Sequence, residues 1–305
     1  QRINPMDSSM TPPPPPEQNA LFDEPPPAVL AAPPAPADAP AAEPTAPRPA
    51  RRPRAGVEAA GVDDATRTRS AAMPHGLRLG TSSWHFPGWA GLVWGGDYAK
   101  SRLSKKGLAA YARHPLLRTV SLDRAFYRPM TASQYAHYAA QVPAHFRFVV
   151  KAPALVCDAQ VRAEDGRGRA PNPAFLSTEL AISQFVQPAL EGLGDKVGAL
   201  VFQISPLPRH MLARLPELID RIGALLSALP RLQPAAPGGV IALEVRDAAF
   251  LAPEHAPHLA RTLRAARAAS GNRVTYCLGL HAKMPPIEDQ LPLLRALWPG
   301  PLMCR

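Results

Sequence analysis

From residue 77 onward, short apolar runs alternate with longer amphipathic segments. Alternation of apolar and polar residues with a period of two predicts strands, and a period of three to four predicts helices. The predicted strands are 77–83, 118–123, 146–151, 199–205, 240–246 and 274–280, with a seventh candidate from residue 301. The helix-length segments between them are 101–113, 131–141, 174–191, 209–229, 253–270 and 287–297. This repetition indicates parallel strands joined by right-handed crossovers.

Two architectures fit this order, an open doubly wound sheet and a (β/α)8 barrel. The first predicted strand leads into the sequence GTSSW (80–84), which has neither the GxGxxG fingerprint nor a P-loop lysine. Six or seven strand–helix units in about 230 residues approach the size of a barrel. We therefore predict an α/β, TIM-barrel-like (β/α)8 domain over residues 75–305, whose last β/α unit is not in this sequence.

Composition separates the first 74 residues from the rest. They hold 18 of the 39 prolines and few large apolar residues. Proline lacks a backbone N–H and has a fixed φ, and a segment poor in apolar residues cannot bury enough surface to fold. The prediction for residues 1–74 is a disordered, proline-rich arm with polyproline-II character.

Charge and cysteine content limit the function classes only coarsely. Residues 75–305 carry 27 Lys and Arg against 15 Asp and Glu, which favours anionic partners without choosing among phosphates, nucleic acid and acidic surfaces. The three cysteines lack CxxC spacing, so they imply neither a disulfide framework nor a zinc site. No secretory signal or membrane span is visible, and the default prediction is a cytoplasmic protein.

Strand alternation also predicts which side chains face the barrel interior. In strand 240–246, Ile241, Leu243 and Val245 form one apolar face. Glu244 and Arg246 lie on the opposite face, and the corresponding face of the other strands also ends in polar residues. If these faces point inward, they meet at the carboxyl-terminal end of the strands, where active sites of this fold lie. We call this end the mouth; its predicted residues are Trp84, Asp123, Lys151, Gln203, Ser205, Glu244, Arg246 and His281.

Five segments carry a resemblance to a known family. They are GTSSW (80–84), AFYR (125–128), FRFVVK (146–151), VFQ (201–203) and ALEVR (242–246). In this order and spacing they resemble the YecE-like family, domain of unknown function 72, over about residues 77–305. The resemblance implies a TIM-barrel-like fold and supplies no activity.

The chain departs from the family pattern at four positions. Ser121 and Asp123 stand where the family commonly has Glu and Asn, and Asp247 and Phe250 stand where it usually has His and Trp. If the replaced groups carry out chemistry in the family, the activity of this member is altered or lost.

Lys151 and Glu244 are the predicted catalytic residues. A lysine at the end of a barrel strand can form a Schiff base if burial or nearby cations lower its pKa. The alternative is a structural ion pair with Glu244 or Asp123. Glu244 is the predicted general acid or base, although Arg246 beside it would keep it ionised.

The remaining predicted site residues are substrate contacts. Arg246 and Arg128 would hold a phosphate or carboxylate through paired hydrogen bonds. The other contacts are Trp84, Asp123, Tyr127, Gln203 and His281. The aromatic loop around Trp84 would either stack on a sugar or base or close the barrel end. A metal bound by Asp123, Glu244 and His281 is disfavoured because cations surround these residues, so we predict neither a metal nor an organic cofactor.

These features favour a small anionic or phosphorylated ligand bound at the mouth, and they leave open whether the protein is an enzyme. One alternative is a nucleic-acid-binding or nuclease-like module that uses Arg261, Arg264 and Arg267 on one helix. Another is a non-catalytic scaffold whose proline-rich arm recruits domains that bind polyproline II. The oligomeric state is not predicted.

Overall fold

A computed structural model describes residues 56–162, 169–281 and 284–305. Its strands are β1 (Leu79–Thr81), β2 (Leu117–Leu122), β3 (Arg147–Lys151), β4 (Gln160–Arg162), β5 (Arg169–Pro171), β6 (Val197–Ile204), β7 (Val240–Val245), β8 (Val274–Leu278) and β9 (Met303–Cys304). Seven of them form one parallel sheet in the order β1-β2-β3-β6-β7-β8-β9. Strands β4 and β5 form a separate antiparallel pair. The seven predicted strands and their parallel pairing are thus confirmed.

Helices connect the strands. They are α1 (Asp64–Ala72), α2 (Lys100–Lys106), α3 (Leu108–Tyr111), α4 (Arg124–Tyr127), α5 (Ala132–Ala139), α6 (Ala154–Cys157), α7 (Thr178–Ala181), α8 (Gln187–Leu193), α9 (Arg209–Leu212), α10 (Leu215–Ala228), α11 (Ala256–Ser270) and α12 (Ile287–Ala296). A π-helical turn, Ile182–Val186, joins α7 to α8. Thr131 starts α5 through a capping box with Gln134, and Gly271 ends α11 in the left-handed conformation at φ 68°.

The two faces of the sheet pack into two separate hydrophobic clusters. The large cluster contains the helices and one strand face, for example Ile241, Leu243 and Val245. The small cluster lies on the opposite face and consists of Ala199, Val201, Val240, Ala242 and Cys277, with Val149 and Met303 against it. This division matches the alternation predicted from the sequence. The fold is therefore an α/β structure with a curled parallel sheet, helices on one face and a small apolar interior on the other.

The described part of the predicted disordered arm, residues 56–74, is folded against the domain. Asp63 begins α1 by accepting a 2.7 Å hydrogen bond from the Thr66 N–H. Ser70 on the same helix donates to the Pro115 carbonyl, and Arg118 donates to the Ser70 carbonyl at 2.8 Å. The prediction of disorder was wrong here because residues 54–73 contain no proline and include a strong helix start. The disorder predicted for residues 1–55 lies outside the described residues.

The segment before α1 also pairs with the loop that follows β1. The Ala60 N–H donates to the Val93 carbonyl at 2.9 Å, and the Gly95 N–H donates to the Glu58 carbonyl at 2.9 Å. These backbone bonds place residues 56–60 beside the aromatic loop. No helix in the described ranges is long and apolar enough to cross a membrane.

Candidate functional site

Charged side chains from three strands meet at the carboxyl end of the sheet. Glu244 near the end of β7 is 3% exposed, and its carboxylate accepts hydrogen bonds from Arg246 Nε at 3.2 Å and Arg305 Nη1 at 3.1 Å. Arg305 Nη2 also donates to Asp123 Oδ1 at 3.0 Å. Asp123 follows the second strand of the sheet and Arg305 follows the last, so one guanidinium spans the curled sheet from β9 to β2.

The neighbouring polar groups complete this network. Arg246 Nη2 donates to Gln203 Oε1 at 2.8 Å, and Gln203 is the direct partner of Glu244 in the β6–β7 register. Ser121 Oγ donates to Asp123 Oδ1 at 2.6 Å. The structure therefore brings together Asp123, Gln203, Glu244 and Arg246, as strand alternation predicted.

Arg305 is a mouth residue that the sequence analysis missed. Met303, two residues earlier, packs against the small inner cluster, so alternation along β9 sends Arg305 toward the same interior. The seventh candidate strand, from residue 301, therefore carries a signal for Arg305 in the sequence itself.

Lys151 at the end of β3 is half-buried and lies over an aromatic ring. Its Nζ is 3.8 Å from the centre of the Phe126 ring. Within the described residues its ammonium has no hydrogen bond or ion pair, because Arg305 and Arg246 hold the carboxylates of Asp123 and Glu244. The alternative of a structural ion pair between Lys151 and either carboxylate is thus not what the structure contains.

The electrostatic surroundings of Lys151 favour loss of its proton. Burial lowers its pKa from the ordinary lysine value, and the guanidiniums of Arg305 and Arg246 act in the same direction. The carboxylates of Asp123 and Glu244 oppose this shift. Burial is the largest of these influences on the pKa of Lys151, and Asp123 is the strongest opposing one.

A third carboxyl group, that of Asp158, belongs to this environment. Asp158 follows α6 and accepts a short hydrogen bond from Ser205 Oγ after β6. Burial raises the pKa of Asp158, while Ser205, Arg169 and Lys151 act to lower it. Sequence reasoning placed Ser205 at the mouth but missed Asp158, because strand alternation says nothing about a residue in the loop after β3.

Trp84 does not lie with the other predicted mouth residues. Its side chain is buried in the large cluster and packs edge-on against Tyr138 of α5, with ring centres 5.6 Å apart. The prediction of an inward-facing Trp84 was wrong because β1 ends at Thr81, so strand alternation does not extend to residue 84. Trp94 is fully buried in the same loop, and the loop covers the core.

Tyr127, Arg128 and His281 lie at more exposed positions. The Tyr127 side chain is 65% exposed and contacts the Phe126 ring edge-on. Arg128 is exposed, and no contact between the described residues joins it to Arg246. His281 is exposed, and its carbonyl accepts a hydrogen bond from the Met284 N–H. The structure therefore does not form the predicted pair of Arg128 and Arg246 around a common point.

Gln290 of α12 forms hydrogen bonds with residues on both sides of His281. Its buried side chain donates to the carbonyls of Gly279 and Pro285 at 2.9 and 2.6 Å. Its Oε1 accepts hydrogen bonds from the Gly279 N–H at 2.8 Å and the Tyr276 hydroxyl at 3.2 Å. Sequence analysis missed this residue because a glutamine in a helix is usually on the surface.

The site offers few metal ligands. Among the described residues no three His, Cys, Asp or Glu side chains are close enough together to hold a metal ion. Two surface cavities of about 160 and 260 Å³ lie elsewhere, one beside Trp298 and one beside Arg214, and neither is lined by a mouth residue. The ionisable groups that the structure brings together at the mouth are an amine, guanidiniums and carboxylates.

These features define a parallel α/β protein with a charged site at the carboxyl ends of its strands. The sequence of residues 78–295 matches the model of the family described as "Protein of unknown function DUF72". The chain belongs to the DUF72 family, which confirms the resemblance stated above.

Comparison with solved structures finds further DUF72 proteins. A DUF72 family protein from Enterococcus faecalis shares 22% identity with a TM-score of 0.41, covering 66% of this chain and 60% of that one. A DUF72 family protein from Thermotoga maritima shares 20% identity with a TM-score of 0.40, covering 68% of this chain and 65% of that one. The chain thus spans less than two thirds of either relative. No curated protein matches it.

Proposed function

We propose that this DUF72 protein binds a small anionic ligand, a phosphorylated or carboxylated compound, at the mouth. The proposal treats the seven strands as part of a (β/α)8 barrel, whose active sites lie at this end. The observation that carries it is Lys151, a half-buried amine that no described carboxylate pairs with, although Asp123 and Glu244 are nearby. A bound anion would supply the missing partner.

The local charge supports the same conclusion. Three cationic side chains, Lys151, Arg246 and Arg305, stand against the carboxylates of Asp123 and Glu244 in this network, and burial raises the pKa of the third carboxyl group, Asp158. The Arg246 side chain is 25% exposed and the Asp123 side chain is 38% exposed, so solvent reaches the network. Excess positive charge at a solvent-accessible site attracts anions.

Within this proposal the site residues have distinct roles. Arg246, oriented by Gln203 and Glu244, holds the anionic group. Lys151 and Glu244 are the reacting or polarising pair if the protein is an enzyme. The exposed Tyr127, Arg128 and His281 belong to the rim, where they would contact the remainder of a larger ligand.

The nucleic-acid alternative loses part of its support. Arg264 Nη1 donates to the Ala296 carbonyl at 2.9 Å. The Arg267 guanidinium donates to the carbonyls of Val274, Leu297 and Pro299. Two of the three helix arginines therefore have partners within the domain. The scaffold alternative depends on the arm, of which residues 1–55 lie outside the described ranges.

Titration calorimetry with pyrophosphate and with citrate tests the proposal. Lys151→Met should weaken binding at least tenfold, because it removes the amine while keeping an unbranched side chain. Lys105→Met, which changes an exposed lysine of α2, is the matched control and should bind like the wild type. Equal affinity in the two variants would contradict the proposal. Salt-sensitive binding of single-stranded RNA that is weakened only by Arg261→Glu would favour the alternative.

A further inference from the structure

We infer that Lys151 is an amine nucleophile that forms an imine with the carbonyl carbon of a ligand bearing a carboxylate or phosphate group. The inference rests on the proposed function and adds to it the reacting group of the ligand. It also assigns Asp158, a residue outside the predicted site, to the same chemistry.

The first support is the arrangement around the amine. An amine can attack a carbonyl only when its lone pair is free, and a permanent ion pair would keep it protonated. Arg305 bonds to both Asp123 and Glu244, and Arg246 takes the second oxygen of Glu244. Because these contacts engage both carboxylates, neither forms the ion pair with Lys151 that would keep its amine protonated and unreactive.

The second support is the position of the side chain. Nζ lies 3.8 Å from the centre of the Phe126 ring, so the ring limits the directions in which the amine can point. Burial and the adjacent guanidiniums lower the lysine pKa, which increases the neutral fraction at a given pH. The charged groups that act on the amine are Asp123, Arg305, Glu244, Arg246 and Asp158.

The reaction needs no oxidant or reductant. The neutral Lys151 amine forms a C–N bond to the carbonyl carbon, and the carbonyl π electrons pass to the oxygen. A proton transfer from nitrogen to that oxygen gives a carbinolamine. Protonation of its hydroxyl and loss of water then give the C=N bond, with the second N–H proton returned to the acid.

Asp158 is the group we assign to this proton exchange. It interacts electrostatically with Lys151, and Ser205 Oγ fixes one of its carboxylate oxygens. Its raised pKa keeps more of it protonated than an exposed aspartate at the same pH. Glu244 is less suited to this role because two guanidiniums bond to its carboxylate.

Reductive trapping of the full chain tests the inference with two matched pairs of probes. Pyruvate and dihydroxyacetone phosphate contain a carbonyl group, whereas lactate and glycerol 3-phosphate lack it. With cyanoborohydride, each carbonyl probe that forms the imine should leave a stable secondary amine, located by peptide mass spectrometry. We expect at least tenfold more adduct at Lys151 than at exposed Lys105. An adduct from pyruvate would identify a carboxylate ligand, and an adduct from dihydroxyacetone phosphate would identify a phosphate ligand.

Three controls make the result decisive. Excess pyrophosphate should reduce trapping at Lys151 in the wild type and leave Lys105 unaffected. Because this control uses the wild type alone, it does not depend on the folding of a variant. Lys151→Arg should abolish the site-specific adduct while keeping a cation, with its circular dichroism spectrum compared with that of the wild type. Asp158→Asn should slow trapping several-fold without equally weakening the binding of lactate or glycerol 3-phosphate.

The outcomes separate the two proposals. If lactate or glycerol 3-phosphate binds in a manner that depends on Lys151, but neither carbonyl probe gives an adduct there, the imine is refuted and the anion site stands. Equal labelling of Lys151 and Lys105 would also overturn the imine. If none of the four probes binds and pyrophosphate and citrate do not bind either, the proposed function itself fails.

Discussion

Replacing Glu244 with glutamine should lower the free energy of unfolding by about 2–3 kcal/mol. The side chain is 3% exposed and pairs with Arg246 at 3.2 Å and Arg305 at 3.1 Å. Removing one partner of a buried ion pair costs about 3–5 kcal/mol, because it leaves a charge without compensation. The Arg246 and Arg305 side chains are 25% and 17% exposed and keep Gln203 and Asp123 as partners, which places the expected loss below that range.

Urea unfolding at pH 7, followed by circular dichroism, measures this loss. The midpoint should fall while the slope with urea concentration stays unchanged, since a changed slope would indicate a different extent of unfolding. Asp220→Asn is the control, because it removes the surface pair with His258, in which the Asp220 side chain is 68% exposed. That variant should lose less than about 1 kcal/mol. A loss for Glu244→Gln no larger than the control's would refute the reasoning.

Three further predictions concern the packing of Gly192, the contacts of residues 56–74 and the burial of Asp247. Gly192→Ala should cost about 1–3 kcal/mol, because its Cβ would clash with the backbone oxygen of Ala132 in α5. Gly238→Ala, whose Cβ would have nothing within 4 Å, should be near neutral in urea unfolding. A chain of residues 75–305 should be about 1–3 kcal/mol less stable than one of residues 56–305, because it loses backbone hydrogen bonds to the aromatic loop. Equal urea midpoints for the two chains would contradict a stabilising contact between residues 56–74 and the rest of the domain. Burial raises the pKa of Asp247, so its charged form costs stability above that pKa and the cost vanishes as pH falls below the unfolded value of 3.8. Asp247→Asn should therefore stabilise the protein at pH 7 and not at about pH 3, as thermal unfolding at the two pH values would show.

The sheet was predictable because its strands combine continuous apolar character with a strict alternation of faces. In β7 the alternation alone separates Leu243 in the large cluster from Ala242 in the small one and directs Glu244 inward. The register of parallel neighbours then brings Gln203 beside Glu244 without further information. The core of the candidate site therefore follows from a local pattern and one topological rule.

The missed features depend on contacts that no local pattern encodes. Arg305 is defined as a site residue by carboxylates 61 and 182 positions away along the chain. Asp158 lies in a loop, and Trp84 lies beyond the end of β1, where alternation has no meaning. The helix α1 was missed for a different reason: the prolines of the predicted arm are concentrated before residue 54, and the proline-free segment that follows has its own capping residue, Asp63.

The four hydrogen bonds of Gln290 couple α12 to Tyr276 of β8 and to the loop that follows this strand. An amide of that length and with both donors and an acceptor has no close substitute, since glutamate cannot donate to the two carbonyls and leucine can form none of the bonds. A change at this helix position would thus alter the hydrogen bonding of Gly279 and Pro285 without replacing any of the charged strand residues at the mouth. A different side chain at this position would therefore change how the helix holds the backbone at Gly279 and Pro285, even where the charged residues of the strands stay the same.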